Sequence, residues 1–336
     1  MNKRHSFYSQ LNSSFKYSPL VMEKITYAGQ LSCYEKADEV IAMLMNISVP
    51  ASQAWRVTNH YGEQMGEKEK IPQRSLPVLA KDESLYVEVD GSMILTREKE
   101  NATDTGWKEV KVGRVFKAKD DCVSTDKQRG CIVQSQYIAH LGGKQSFVRQ
   151  MDELIDSFGA LGNRLIFISD GATWIKNWQT DIFPEAVQII DYFHVLEHIH
   201  EFSGMYFDDN TRAKAWVKDQ CLLLQDSQAV KVIGNIKALP VGSTQSENNR
   251  NNLIDYLTNN VDRMDYKRYR KLGAGIIGSG AIESAHRTVV QERLKLSGQR
   301  WNKLGAQHVL NLRVVYKSGA WNKVIDLIKN PPKRAA

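Results

Sequence analysis

The run Arg164-Leu-Ile-Phe-Ile-Ser-Asp170 constrains the fold more than any other feature of this chain. Its centre is continuously apolar and too short for a buried helix. A strand covered on both faces has this composition, and such strands pair in parallel beneath helices. A second run of the kind, Ala186-Val-Gln-Ile-Ile-Asp191, follows one helical stretch over 172–183. Upstream, residues 85–91, 107–118 and 131–140 read as three strands separated by hairpin-length gaps. The middle one alternates Val110, Val112 and Val115 with polar partners, the period of a strand. Residues 143–160 are an amphipathic helix, and Phe193 to Phe202 is helical. Three strands, then strands alternating with helices, is an α/β layout: a ribonuclease-H-like mixed sheet with helices on its faces.

The rest of the chain is organised around that sheet. Residues 1–33 show little pattern and are expected to be an N-terminal arm. Residues 34–48 have apolar positions at helical spacing, and a second helix starts at Ser52 after the break at Val49-Pro50. Helix, short turn, helix is compatible with a helix-turn-helix and equally with an ordinary helical hairpin. The polar stretch 66–82, with Pro72 and Pro77, reads as a linker and closes a small helical region over 34–82. The catalytic fold is expected over 83–203. An all-helical insertion follows over 204–272, with helical stretches at 211–225, 228–237 and 248–259. Residues 273–330 then supply one long helix over 279–297 and two more at 303–317 and 320–329.

Composition narrows the function classes. No run of 18 apolar residues occurs, so no transmembrane helix is expected, and the basic N-terminus lacks the apolar core of a secretory signal. Cys33, Cys122, Cys131 and Cys221 form no CxxC pair, which points away from zinc and disulfides and towards a reducing cytoplasm. The net charge of +7 is unevenly spread. From Arg263 onward there are 16 lysines and arginines against four acids, a local +12 that leaves −5 for the rest. A basic end on a near-neutral body is the footprint of a nucleic-acid binder, although a solvated basic surface looks the same.

Three carboxylates stand out by placement. Asp90 is expected at the end of the first strand, Asp170 at the end of the fourth and Glu283 near the start of the long helix. Ligands gather at the carboxyl ends of parallel strands. Acids meeting there from two strands and a facing helix can hold two Mg²⁺ or Mn²⁺ ions, which prefer oxygen ligands. Two such ions, about 4 Å apart, stabilise the attacking and leaving oxygens of in-line phosphoryl transfer. Each acid also has a local explanation. Asp90-Gly91 and Asp170-Gly171 are common turn dipeptides, and an acid in a helix's first turn suits the macrodipole. On spacing alone Asp191, Glu88 and Asp181 compete as ligands.

The segment around Glu283 adds weight. Ile282, Ala285, Val289 and Leu296 make an apolar face, with Glu283 and Arg287 one turn apart beside it. Arg293, Lys295 and Arg300 continue a basic side suited to a phosphate backbone, or to ordinary solvation. Trp301 offers a ring for a base or for the core.

These stretches carry a resemblance. VEVDGSM (87–93), GWKEVKVGRVF (106–116), FISDGATWIKN (167–177), FPEAVQIIDYFHVLEHI (183–199) and GSGAIESAHRTVVQERLKLSGQRW (278–301) resemble DDE-type insertion-sequence transposases of the Mutator-like group, most of all the ISKra family. The resemblance spans roughly residues 84 to 316. It implies a catalytic triad of Asp90, Asp170 and Glu283 and two bound Mg²⁺ or Mn²⁺ ions. It also implies a helical insertion between the second Asp and the Glu, and an Asp-x-x-His signature at Asp191 to His194. His194 is given a supporting role, orienting substrate or a carboxylate. About 80 residues precede the core, fewer than such transposases often carry, which leaves end recognition by the 34–65 helices open.

The expected function is DNA transposition: cleavage at element ends, then attack of the freed 3′-OH on target DNA. Double-stranded DNA and at least a second copy of the chain are the expected partners, and the protein is expected in the cytoplasm on DNA. The rivals are a ribonuclease-H-like nuclease that does not join strands and a decayed copy that binds DNA without cutting it. A doubly wound small-molecule enzyme would need a dinucleotide or P-loop signature; the glycines of 273–280 follow no clear strand and supply none.

Overall fold

Five strands form one mixed sheet in the order β5-β2-β1-β6-β7. The computed structural model describes residues 15–68, 79–99, 101, 103–124, 130–159 and 161–331. β1 (Leu85–Leu95) and β2 (Trp107–Lys117) pair antiparallel along their whole length, and β5 (Gln136–Leu141) pairs antiparallel with β2. β6 (Leu165–Ser169) lies parallel to β1, and β7 (Val187–Ile190) parallel to β6. The apolar run at 165–169 is buried throughout, as a central strand covered on both faces must be. β3 (Cys122–Ser124) and β4 (Gly130–Ile132) form a separate two-stranded ribbon, so the third strand expected over 131–140 divides between two sheets.

Alternation along β1 sorts its side chains between two cores. Leu85, Val87 and Val89 pack with Phe147, Met151 and Ile155 of α4 (Lys144–Asp156) and with Ile175 and Trp178 of α5 (Thr173–Ile182). Tyr86 points the other way, into a core shared with Ile190, with α6 (Tyr192–Tyr206) and with the helices that follow. Those helices are α7 (Asn210–Gln225), α8 (Ala229–Lys237) and α9 (Thr244–Asn260). Val217, Leu224, Val232, Ile236, Leu253 and Leu257 from them join the sheet's own core. The helical insertion is therefore packed on the sheet rather than apart from it. A short α10 (Tyr266–Tyr269) ties in further, its Tyr266 hydroxyl donating to the Ile190 carbonyl at 3.1 Å.

The N-terminal region departs from the expected arm. Pro19–Leu31 is a helix, α1, started by Ser18, whose hydroxyl accepts the Val21 N–H, and by Pro19 in the first turn. α1 packs with α2 (Tyr34–Met45), α3 (Ala51–Lys68), α12 (Lys303–Lys317) and α13 (Asn322–Lys329) around one apolar core. The two ends of the chain thus build a single helical layer. The first 14 residues of the expected arm and most of the expected linker, with Pro72 and Pro77, lie outside the described residues.

The long helix expected over 279–297 is irregular. α11 runs Gly280–Ala285, opens into a π-helical segment at His286–Gln291, and ends in one α turn at Glu292–Leu294. A π turn widens the helix and turns its side chains relative to an α-helix. Arg313 of α12, fully buried, holds this segment. It donates to the Val289 carbonyl at 2.7 Å, to the Thr288 carbonyl and to Glu292 at 2.9 Å, while its third nitrogen donates to the Gln30 carbonyl of α1 at 2.9 Å. Among the described residues no helix is long and apolar enough to cross a membrane.

Candidate functional site

β1, β6 and β7 run parallel, and an aspartate stands at the same edge in each, within β1 and directly after β6 and β7. β1 differs from expectation here. It does not end at Asp90 but continues to Leu95, because Asp90 to Leu95 stay paired with β2. The parallel pairing with β6 does stop at Glu88, so Asp90 stands just past the last parallel pair. Asp90-Gly91 is therefore mid-strand, and the turn explanation for it falls. Asp170 follows β6 directly and Asp191 follows β7. Opposite them, α11 supplies Glu283. Asp90, Asp170, Asp191, His194, Glu197 and Glu283 line one cleft of about 120 Å³, with Val89, Phe193, Ser279 and Ile282.

The acids have different surroundings. Asp90 is half-buried; its Oδ1 accepts the Gly91 N–H at 2.6 Å, and its Oδ2 lies 3.3 Å from His286 Nε2. The contact lacks the alignment of a hydrogen bond and is an ion pair only when the imidazole is protonated. Burial works to raise the Asp90 carboxyl, but His286, the Gly91 amide and His194 together hold it below the usual range. Asp170 accepts the Ala172 N–H at 3.0 Å through Oδ1. Gly171, at φ +97°, turns the chain away there, and a side chain in its place would meet Ile190. Tyr256 of α9 reaches the Asp170 carbonyl at 3.5 Å, so the helical insertion touches the loop that carries the second aspartate. Glu283 is exposed, and among the described residues its carboxylate has no hydrogen bond or ion pair.

The rival acids separate by their partners. Asp191 is buried with both oxygens engaged: Oδ1 caps α6 through the Phe193 N–H at 2.8 Å, and Oδ2 accepts the Ser279 hydroxyl. It joins β7 to the loop before α11. Asp181 is exposed on α5 and does not line the cleft. Glu88 lies two residues before Asp90 on the same face, fully buried, with neither carboxylate oxygen hydrogen-bonded. Burial pushes its carboxyl up to about 8, against the pull of the Arg114 guanidinium, and Asp191 and Glu283 push in the same direction as burial. Arg114 itself donates to the Ala281 carbonyl at 2.6 Å and to Ser135 at 2.9 Å, which fixes the start of α11.

The remaining expected residues divide between cleft, surface and core. His194 lines the cleft, its Nδ1 3.3 Å from Glu197 and its ring edge-on to His198. Arg287, Lys295 and Arg300 are exposed. Arg293 and Trp301 are buried, which removes them from any surface that meets DNA. The Arg293 guanidinium sits over the rings of Tyr34 and Trp301, within 5 Å of both, and donates to the Gly29 carbonyl at 3.0 Å. Trp301 donates to the Leu294 carbonyl at 3.1 Å, and its backbone continues the edge of β1 through Leu95 and Arg97. Sequence reasoning passed over His286, one turn beyond Glu283 in the segment AIESAHR, and Phe193, inside the Asp-x-x-His signature. Position three after an acid on a helix was the available signal for His286.

Most donors facing the cleft are carboxylate oxygens, the chemistry of a hard divalent cation, joined by His194 and Ser279. Among the described residues no three His, Cys, Asp or Glu side chains gather tightly enough to hold an ion together. The cleft is an open arrangement of acids.

Fold and cleft define a mixed α/β protein with acids collected at one edge of a five-stranded sheet. The chain belongs to UPF0236, described as an uncharacterised protein family, whose model matches residues 20–330. It is similar to the "UPF0236 protein in vanSb 3′region" of Streptococcus gallolyticus, 23% identical over 323 residues, 92% of this chain and 66% of that protein. The chain thus matches just under two thirds of the length of that relative.

Proposed function

We propose that this chain is a DDE-type DNA transposase of the Mutator-like, ISKra-like kind. It cuts DNA at the ends of an insertion sequence and joins the freed 3′ ends to target DNA. The observation that carries the reading is the meeting of Asp90, Asp170 and Glu283, far apart in sequence, on one cleft. The strand order supports it, since β5-β2-β1-β6-β7 with this mixture of directions is the order of a ribonuclease-H-like sheet. So does an all-helical stretch between the second aspartate and the glutamate.

Two Mg²⁺ or Mn²⁺ ions fit the donor chemistry of these three carboxylates. Bound there, they would supply Lewis acidity for in-line phosphoryl transfer. The chain's own residues do the rest. Asp90 and Asp170 are each anchored through one oxygen by a backbone N–H, which fixes the side chain, while the second oxygen of Asp90 lies 3.3 Å from His286 Nε2. Glu283 is exposed and unpartnered, so it can follow a ligand entering between the two aspartates. His286 helps to hold the Asp90 carboxyl below its usual range. Arg287, Lys295 and Arg300 offer cations to the DNA backbone, which makes binding fall steeply with salt. The substrate is double-stranded DNA, and bringing two ends together takes at least a second copy of the chain.

The test is strand nicking on a supercoiled plasmid carrying the element's ends, in Mg²⁺ or Mn²⁺. Wild type nicks at the ends and yields joined products. Asp90→Asn and Glu283→Gln remain folded and bind DNA but lose nicking by about 10³-fold or more. Nicking retained in either variant overturns the assignment.

A further inference from the structure

We propose that the ring of Phe193 is a stacking platform for an unpaired nucleobase next to the carboxylate cleft. The proposal rests on the transposase reading and narrows its substrate to DNA with an unstacked nucleotide at the reacting end. The sequence offered Trp301 for such a role, but Trp301 is buried against Arg293. Phe193 is the opposite case. It is 57% exposed, and it lines the same cleft as Asp90, Asp170 and Glu283.

The exposed ring is held in place rather than free. Its backbone N–H is tied to Asp191, which also receives Ser279 from the loop before α11. Its ring lies against Gly278, where even a Cβ would come within 2.3 Å of ring carbon Cδ2. One side of the ring is therefore packed on backbone while much of it faces solvent. Holding an apolar ring in water has no packing benefit, and orienting it forfeits side-chain freedom. A ligand that covers the ring supplies the missing gain.

The cleft indicates which ligand. Its lining combines carboxylates, His194 and Ser279 with the apolar Val89, Phe193 and Ile282. A nucleotide has both complements, a phosphate for the acids with their ions and a flat apolar base. Inside a duplex each base face is covered by its neighbours, so only a base at an end or out of the stack can meet the ring. Arg287, exposed one turn beyond Glu283, stands on the same helix as a cation for the adjoining backbone.

The experiment measures binding in EDTA, where no cutting occurs. The probes are a blunt duplex and the same duplex with a short unpaired thymidine tail, 3′ or 5′, carrying 2-aminopurine next to the duplex. Wild type is expected to bind one tailed duplex about tenfold more tightly than the blunt one and to quench the 2-aminopurine. Phe193→Ala should reduce the tailed duplex to the blunt level and abolish quenching, and Phe193→Trp should restore both; thermal unfolding checks that both variants are folded. Equal binding of tailed and blunt duplexes by wild type, or a preference that survives Phe193→Ala, overturns the platform. If wild type binds neither probe and does not nick plasmid, the transposase reading itself has failed. End-specific nicking without any tail preference removes the platform alone.

Discussion

α11 takes part in two clusters of charged side chains that are built to opposite rules. At its π-helical end, the buried Arg313 has all three nitrogens engaged, by carbonyls of α11 and α1 and by Glu292. At its beginning, Glu88 is just as buried and has no hydrogen-bond partner, Asp90 faces His286 without a hydrogen bond, and Glu283 stands exposed. A buried polar group left unpaired costs stability, and a paired one does not. The first cluster is therefore architecture: it locks the N-terminal helices to the segment that aims Glu283 and His286. The second is a crowd of carboxyl groups that Arg114 and His286 offset only in part, the kind of perturbed cluster that marks a functional site.

The largest effect should come from breaking the satisfied cluster. Arg313→Ala strands the Val289, Thr288 and Gln30 carbonyls and is expected to cost about 3–5 kcal/mol. Urea unfolding measures this, and a loss below about 1 kcal/mol would remove the contrast between the two clusters.

Next is the unsatisfied cluster. The folded Glu88 carboxyl titrates at about 8, against an ordinary value of 4.5. Between those values the folded state binds more protons than the unfolded state, so wild-type stability falls as pH rises through this window. Glu88→Gln carries no such proton. In EDTA it should draw level with wild type near pH 4 and exceed it by about 4 kcal/mol near pH 8, with the gap levelling off just above that. Parallel stability profiles across pH 4–9 would show that Glu88 is not the strained group the cleft presents.

The smallest effect sharpens the comparison within the cleft wall. Gly278→Ala drives a methyl into the Phe193 ring, and should cost about 1 kcal/mol in thermal unfolding while displacing the ring. The same variant should weaken the tailed-duplex preference. A preference left intact would mean that the ring's packing on Gly278 does not matter to it.

Legibility in the sequence followed how local each feature is. β6, β7, α4, α5, α6 and the insertion helices were readable within a few residues, because periodicity and apolar runs record burial directly. α1 was missed although Ser18-Pro19 is a start signal, since its buried positions include Thr26, Gly29 and Gln30 and dilute the apolar stripe. The end of β1 was misplaced because Asp-Gly reads as a turn, whereas antiparallel pairing with β2 carries the strand through it. Arg293 read as a surface group because a stacked cation and an exposed one have the same residue type, whereas Trp301, open between base and core, lies in the core.

By itself the sequence determined the succession of the sheet's main strands and of the helices from α4 onward, and the family to which the chain belongs. Those follow from side-chain period and residue type along a short stretch. Only the tertiary structure decided which acids face one another, that Asp191 is spent on capping while Asp170 is not, and that Phe193 rather than Trp301 remains open. It also decided that α11 opens into a π segment gripped by Arg313 and that the two ends of the chain form one layer. These are choices of partner between residues far apart in the chain, and a hydrogen-bond partner or a packed face exists only once both have been brought together.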